Sequence, residues 1–277
     1  NVEGGLPASG SGKVVMNWQV YALRYALQER FGRDNFLRTS DLHDLPMPMD
    51  YFVWVARAGD RSIVIDTGFS AETARKRDRS LLTPVELALS RIGVDPGGVE
   101  DVIVTHLHYD HAGNLDLFPR ARFHLQDREM GFATGRNMCH SCLRYAFEVE
   151  DVVRMVRAVY ADRVSFHNGD AEIADGVSVH HVGGHTDGLQ MVRITTERGP
   201  IVLASDAAHY YANIETGNPF PIFYNIGDMA EGWRRATRLA GDPRRVVPGH
   251  DPKVRERYPA LEGSNGEIVA LHLKPKA

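Results

Sequence analysis

Cysteine is almost absent from this chain of 277 residues, which has only Cys139 and Cys142. A disulfide framework therefore is not what holds the fold together. An excess of one charge sign is also missing. The formal net charge is −4 and no long run of like charge occurs, so the chain offers no basic field for a nucleic-acid backbone or an anionic membrane. Nor does any stretch approach the roughly 18 to 20 continuous apolar residues that span a bilayer. The opening NVEGGLPASGSGK lacks the basic-then-apolar layout of a secretory signal, so residues 1–13 read as a flexible leader and the cytoplasm is the default location. No internal repeat interrupts the remainder. With 43% apolar residues the chain has ample material for a sizeable core, and residues 14–277 are expected to form a single domain.

The segments YFVWVAR (51–57) and RSIVIDTG (61–68) are rich in β-branched and aromatic residues and are separated by AGD, which predicts a hairpin. TPVELALSRIG, with Pro84 near its start, predicts a helix ending at Gly93. VEDVIVTH and ARFHLQ are short buried strands in the same reading. Residues 127–160 differ, since Val152, Val153, Val156 and Val159 recur at helical spacing and predict one long helix or two short ones. Strands then return at DAEIA, VSVHHV, LQMVRITT and PIVLASD, followed by a helix near Met229 to Ala240 and a last short strand in RRVVPGHD. MNWQVYALRYALQERFG is ambiguous between strand and helix. This order implies an α/β layered fold, two sheets packed face to face with helices outside.

The densest chemistry lies in THLHYDHAGN, where His106, His108, Asp110 and His111 follow a buried strand. A lone histidine is most often a surface or hydrogen-bonded structural residue. Four ligand-type side chains in six positions at a strand end are a different matter, because a rigid strand and a tight loop aim side chains at one point. His106 and His108, two apart in an extended segment, face the same way and can grip one ion, while the next turn carries Asp110 and His111 toward a second. Imidazole and carboxylate are the ligands that first-row divalent metals take in hydrolytic sites. VGGHTDG places His185 after another apolar strand, PIVLASDAAH places Asp206 at the end of a third, and VVPGHDP places His250 at the end of a fourth.

This series of motifs resembles the metallo-β-lactamase superfamily and within it is most similar to the N-acyl homoserine lactonase group, over about Tyr51 to Pro259. The resemblance implies a four-layer αβ/βα sandwich with a two-metal site, usually described as zinc. It implies that His106, His108 and His185 hold one ion, that Asp110, His111 and His250 hold the other, and that Asp206 bridges them. A carboxylate in the bridging role points away from the antibiotic-hydrolysing members, which generally have a cysteine near it, and toward lactonases and glyoxalase II. The implied activity is hydrolysis of a lactone, N-acyl homoserine lactones among them, by a metal-bridging hydroxide, with Asp110 also accepting the proton of the attacking water. The alternative is another ester, thioester or cyclic amide on the same dinuclear site. In either case the partner is a small molecule, neither nucleic acid nor membrane, and a homodimer stands as the candidate assembly.

The best-known lactonases carry a tyrosine three residues after the bridging aspartate, where this chain has His209, followed by Tyr210 and Tyr211. His209 is a candidate for hydrogen-bond or proton donation, with a packing role equally open. Asp66 either orients a ligand histidine or serves a turn before Gly68. His180 and His181 face opposite sides of a strand, and His124 and His167 read as structural. The CHSC segment lacks a second pair and is weak as a metal or redox motif. Met138, Tyr145 and Phe147, and further on Phe220, Ile222, Phe223 and Tyr224, are candidate walls of a substrate pocket, though aromatic clusters are more often simply core.

Overall fold

The computed structural model describes residues 16–38 and 44–276; the leader expected over residues 1–13 lies outside the described residues. The chain opens with β1 (Gln19–Gln28), β2 (Met49–Ala58), β3 (Arg61–Ile65), helix α1 (Ala71–Lys76), β4 (Ser80–Leu81), α2 (Val85–Ser90), β5 (Asp101–Ile103) and α3 (Tyr109–Ala112). It continues through β6 (Arg122–Gln126), α4 (Asp127–Thr134), α5 (Ser141–Arg144), α6 (Val149–Tyr160) and β7 (Val164–His167). A second series follows: β8 (Ala171–Ala174), β9 (Val177–His181), β10 (Gln190–Thr196), β11 (Gly199–Ser205), α7 (Tyr211–Thr216), α8 (Ile226–Ala240) and β12 (Val246–Pro248). Helix α9 (Lys253–Arg257) and strand β13 (Ile268–Ala270) close it.

The first sheet runs β13-β1-β2-β3-β5-β6-β7, with β4 against β1, and the second runs β12-β11-β10-β9-β8. β3, β5, β6 and β7 pair in parallel, as their helical crossovers require. The second half carries less βα alternation, because β8 to β11 form an antiparallel meander and only β12 joins in parallel.

Strand periodicity builds the layers. Along β2, Phe52, Trp54 and Ala56 face Val192, Ile194 and Leu203 of the second sheet, whereas Val53 and Val55 belong to a separate core with Val85 and Leu89 of α2. On the far side Met191, Val202 and Ala204 pack on Ala236 and Ala240 of α8. Helix, sheet, sheet and helix thus stack as four layers. Strands apolar on both faces read as continuous hydrophobic runs, which is why they stand out in the sequence. Among the described residues no helix is long and apolar enough to cross a membrane.

Residues 127–160 form α4, α5 and α6, so the part that begins at CLRYAFEVEDVV holds the end of one short helix and a second, α5 and α6, rather than one long helix. The ambiguous N-terminal segment is a strand. Its pairing with β2 shifts register between Arg24 and Ala26, and this bulge breaks the two-residue alternation into a pattern that imitates a helix.

Candidate metal centre

Five loops converge where strands of both sheets end. Asp66 follows β3; His106 and His108 follow β5, with Asp110 and His111 on the short α3; His185 lies between β9 and β10; Asp206 follows β11 and His250 follows β12. Gln190 fixes the separation of two of these loops: its backbone N–H donates to Thr105 and its side chain donates to the carbonyls of Val104 and His124. Two non-glycine residues at these strand ends, Asp66 (φ 62°) and Ser205 (φ 45°), adopt left-handed backbone. Such conformations cost on the order of 1–3 kcal/mol each and mark strand ends bent to aim their neighbours.

The structure brings together His106, His108, Asp110, His111, His185, Asp206, His209 and His250, all buried. His108 Nδ1 lies 3.0 Å from His106 Nε2 and 2.8 Å from His185 Nε2. Asp206 Oδ2 faces this trio, 3.3 Å from His185 Nε2. Its other oxygen, Oδ1, lies 3.0 Å from His250 Nε2 and 3.4 Å from His111 Nε2. Asp110 Oδ2 completes the second group, 3.4 Å from His111 Nε2 and 3.6 Å from His250 Nε2. Asp206 presents one oxygen to each group.

The outward ring nitrogens identify the donors. His111 Nδ1 is 2.7 Å from Asp66 Oδ2, His250 Nδ1 is 2.9 Å from the Asp50 carbonyl, and His185 Nδ1 is 2.8 Å from the Ile222 carbonyl. His106 Nδ1 lies 3.2 Å from Thr105 Oγ1, whose own proton goes to Asp66. Each of these acceptors suits the single proton of a neutral ring, a tautomer that leaves the inward Nε2 with a lone pair for a cation. Lone pairs facing one another at such distances repel, and a divalent cation between them turns repulsion into coordination. His111 Nε2 is moreover buried without a hydrogen-bond partner. The residues present fit divalent cations.

Electrostatics agree. Burial, reinforced by neighbouring imidazoles, holds His106 and His108 well below the usual histidine range, so both are neutral ligands at ordinary pH. Burial works against ionising Asp110 and Asp206, but His250 and His111 outweigh it and keep both carboxylates charged. Burial likewise opposes protonation of His111, yet Asp110, Asp206 and Asp66 raise it well above its ordinary value. The same demand for positive charge is one a divalent cation meets.

His209 sits inside the cluster. Its Nε2 is 2.9 Å from Asp206 Oδ2, its ring stacks on Phe220 with centroids 3.4 Å apart, and its Nδ1 has no hydrogen-bond partner. Burial, against the pull of Asp206, pushes its pKa down to about 3, so the ring is neutral near pH 7. His185, Asp206 and His209 also form a metal-competent trio by distance.

Two adjoining cavities open onto the cluster. Tyr145, His108, His185 and Ile222 line both. Leu143, Phe132, Pro221 and Phe223 add apolar wall to one of them. Phe147 instead packs its ring against His108, and Tyr224 packs against Phe132. Met138 is not among the lining residues. Cys139 and Cys142 are exposed free thiols, with Cys142 at the apolar cavity. His124 stacks on His167 and meets Asp101 at 3.0 Å, away from the cluster. His180 contacts Asp170 and Ser178, and His181 the Asp187 carbonyl, so both are held outside it.

Glu129 of α4 is a residue that sequence reasoning missed. Fully buried, it accepts from the Leu107 N–H at 2.8 Å, from Thr186 Oγ1 at 2.6 Å and from the Gly188 N–H at 3.1 Å. It thereby ties the His106–His108 loop to the His185 loop. A Cβ on Gly188 would lie 2.0 Å from the Glu129 backbone nitrogen, so that approach requires glycine. The residues after His185 in GGHTDG carried this signal, but nothing local marked Glu129 as their partner.

Comparison with known proteins now becomes informative. The chain is 30% identical over 137 residues to an N-acyl homoserine lactonase of Bacillus sp, which is 49% of this chain and 49% of that protein. The match thus spans about half the length of that curated relative. The fold matches the structure described as a quorum-quenching N-acyl homoserine lactone lactonase, with a TM-score of 0.71 and 19% identity over 87% of this chain and 95% of that one. It also matches AidC, described as a dizinc quorum-quenching lactonase, with a TM-score of 0.67 and 14% identity over 86% and 89% of the two chains. At those identities the two structures speak for the fold. A model of the metallo-beta-lactamase superfamily matches residues 47–250, a span that contains every clustered donor, and this chain belongs to that superfamily.

Proposed function

We propose that the protein is a metal-dependent hydrolase that opens a lactone ring, with residues 14–277 acting as one hydrolase domain and the helices of 127–160 walling its substrate pocket. One observation carries the reading: seven buried metal-competent side chains, from loops of both sheets, meet beside a cavity and divide into two groups that share Asp206, with His209 against that aspartate. Likeness to an N-acyl homoserine lactonase over half the chain supports a lactone substrate, and the dizinc neighbour supports zinc.

His106, His108 and His185 would hold one cation, Asp110, His111 and His250 the other, and Asp206 would bridge them. When bound, the two cations supply Lewis-acid polarisation of a carbonyl and acidification of a water molecule. Asp110 presents Oδ2 to His111 and His250, which leaves Oδ1 to accept the proton of the attacking water. His209, neutral and lining the cavity, steadies Asp206 through Nε2 and offers its ring edge to the substrate. Apolar walls from α5 and the 220–224 segment exclude water around the ring being opened.

The test is a panel of lactones of differing chain length, with thioesters and cyclic amides beside them, assayed on metal-replete and chelator-treated protein. Ring opening of lactones that stops on chelation supports the proposal. Thiol release from thioesters with intact lactones would instead favour the thioesterase alternative, and turnover that survives complete metal removal would overturn the metal-dependent reading.

A further inference from the structure

The cavity beside the candidate metal centre has an unbalanced charge. Arg30, Arg77 and Arg79 all line it, whereas the carboxylates that line it, Asp110 and Asp206, are already assigned to cations. Arg77 is accounted for: its Nε donates to Glu148 Oε1 at 2.7 Å and its guanidinium lies over the Tyr109 ring at 4.1 Å. Among the described residues, neither of the other two forms a hydrogen bond or ion pair with a carboxylate. Arg79 donates from Nε to the Tyr109 hydroxyl at 3.1 Å and from Nη1 to backbone carbonyls of Arg77 and Asp78. Arg30 holds the Asp34 carbonyl through Nη2 and reaches only the Met49 thioether, at 3.8 Å, through Nη1.

A guanidinium carries five N–H donors in a fixed fork that matches a carboxylate. Both Arg30 and Arg79 are half-buried and retain unused donors. Leaving two such cations without counter-ions is costly, more so because the chain as a whole is acidic and has carboxylates to spare. Tyr51 lines the same cavity, hydrogen-bonded to Tyr109 and Gln28. The adjoining cavity, which shares His108 and His185, carries more apolar wall, from Phe132, Leu143, Pro221 and Phe223. A neutral lactone with an aliphatic tail would leave both guanidinium groups without an anionic partner.

We infer that the substrate is an anion: a lactone or ester that bears a carboxylate, which Arg30 and Arg79 bind while an apolar portion enters the adjoining cavity. The inference rests on the hydrolase reading for the position of the scissile bond, but its charge recognition stands on the arginines alone.

Two measurements separate these claims. The first compares kcat/KM for a lactone carrying a free carboxylate with that for its methyl ester, in the native protein and in Arg30→Gln, Arg79→Gln and Arg79→Lys variants. A charge-assisted pair predicts a preference for the carboxylate of about ten- to a hundredfold, expressed mainly in KM, that collapses toward unity in the double Gln variant and survives in part with Lys. The second is calorimetric binding of non-hydrolysable cyclic-ether analogues of the two lactones, one with the free carboxylate and one with its methyl ester, which reads the same preference without turnover and without the carboxylate that ring opening creates. Equal values for the two substrates in the native protein, or a preference that persists in the double Gln variant, would overturn the anion site. Absence of turnover with arginine-dependent binding of the carboxylate analogue would instead leave the anion site standing and remove the hydrolase reading.

Discussion

His111 shows how much of the centre is decided by single hydrogen bonds. Its Nδ1 is held by Asp66, which also accepts from the backbone N–H and hydroxyl of Thr105. Asp66→Asn replaces one acceptor oxygen with an NH2 group, so a donor faces a donor. It should weaken metal affinity by about 10- to 100-fold, measured by competition with a chromophoric chelator; unchanged affinity would show that His111 is oriented by packing. Asp110→Asn keeps the shape but loses the basic oxygen, and kcat should fall by about 10²- to 10⁴-fold at normal metal content. Near-normal turnover would remove Asp110 from proton transfer. His209→Ala should lower kcat by about tenfold while metals remain bound, and a pH profile of kcat identical to that of the native protein would reduce His209 to packing on Phe220. The donors were legible in the sequence because each sits in a short motif closing an apolar strand. Thr105, Ser205 and the two unpaired arginines were not, since an isolated hydroxyl or arginine acquires meaning only from partners distant in the chain, as Thr105 does from Asp66 and Ser205.

At the scale of elements, α4 is the brace between the loops that present His106, His108 and His185. Glu129→Ala strips the acceptor from two backbone N–H groups and a hydroxyl in a buried setting, and should cost about 3 kcal/mol in denaturant unfolding. Burial pushes Glu129 up to about 7 from 4.5, although three donors favour its charged form. The folded protein therefore keeps this proton longer than the unfolded chain does. Its contribution is complete below about pH 4.5 and is lost as pH rises through about 7, so stability should decline across that window and the decline should shrink in Glu129→Gln. An identical pH slope in the variant would contradict the assignment. Element types followed the hydrophobic period wherever strands were buried on both faces. They were obscured where it failed: at the bulge of β1, and at β7, an edge strand that exposes Phe166 and so lacks an apolar run.

For the whole molecule, two sheets pressed face to face bring the ends of β3, β5, β11 and β12 to one rim, and residues as distant as Asp50 and His250 meet there. Parallel pairing of β3 with β5 and of β11 with β12 puts carboxyl ends of neighbouring strands side by side, which is where α/β sheets place ligands. Cations held by both sheets would also tie the layers together, so metal removal should lower thermal stability, by about 4 kcal/mol at a thousandfold excess over Kd for a single site. The most direct test of the central claim is metal content by elemental analysis of the native protein, His106→Ala and His250→Ala. The account predicts about two divalent cations per chain, one lost in each variant, with hydrolysis and thermal stability falling together. A native protein with no bound metal after metal-replete preparation, as stable and as active as before, would contradict it.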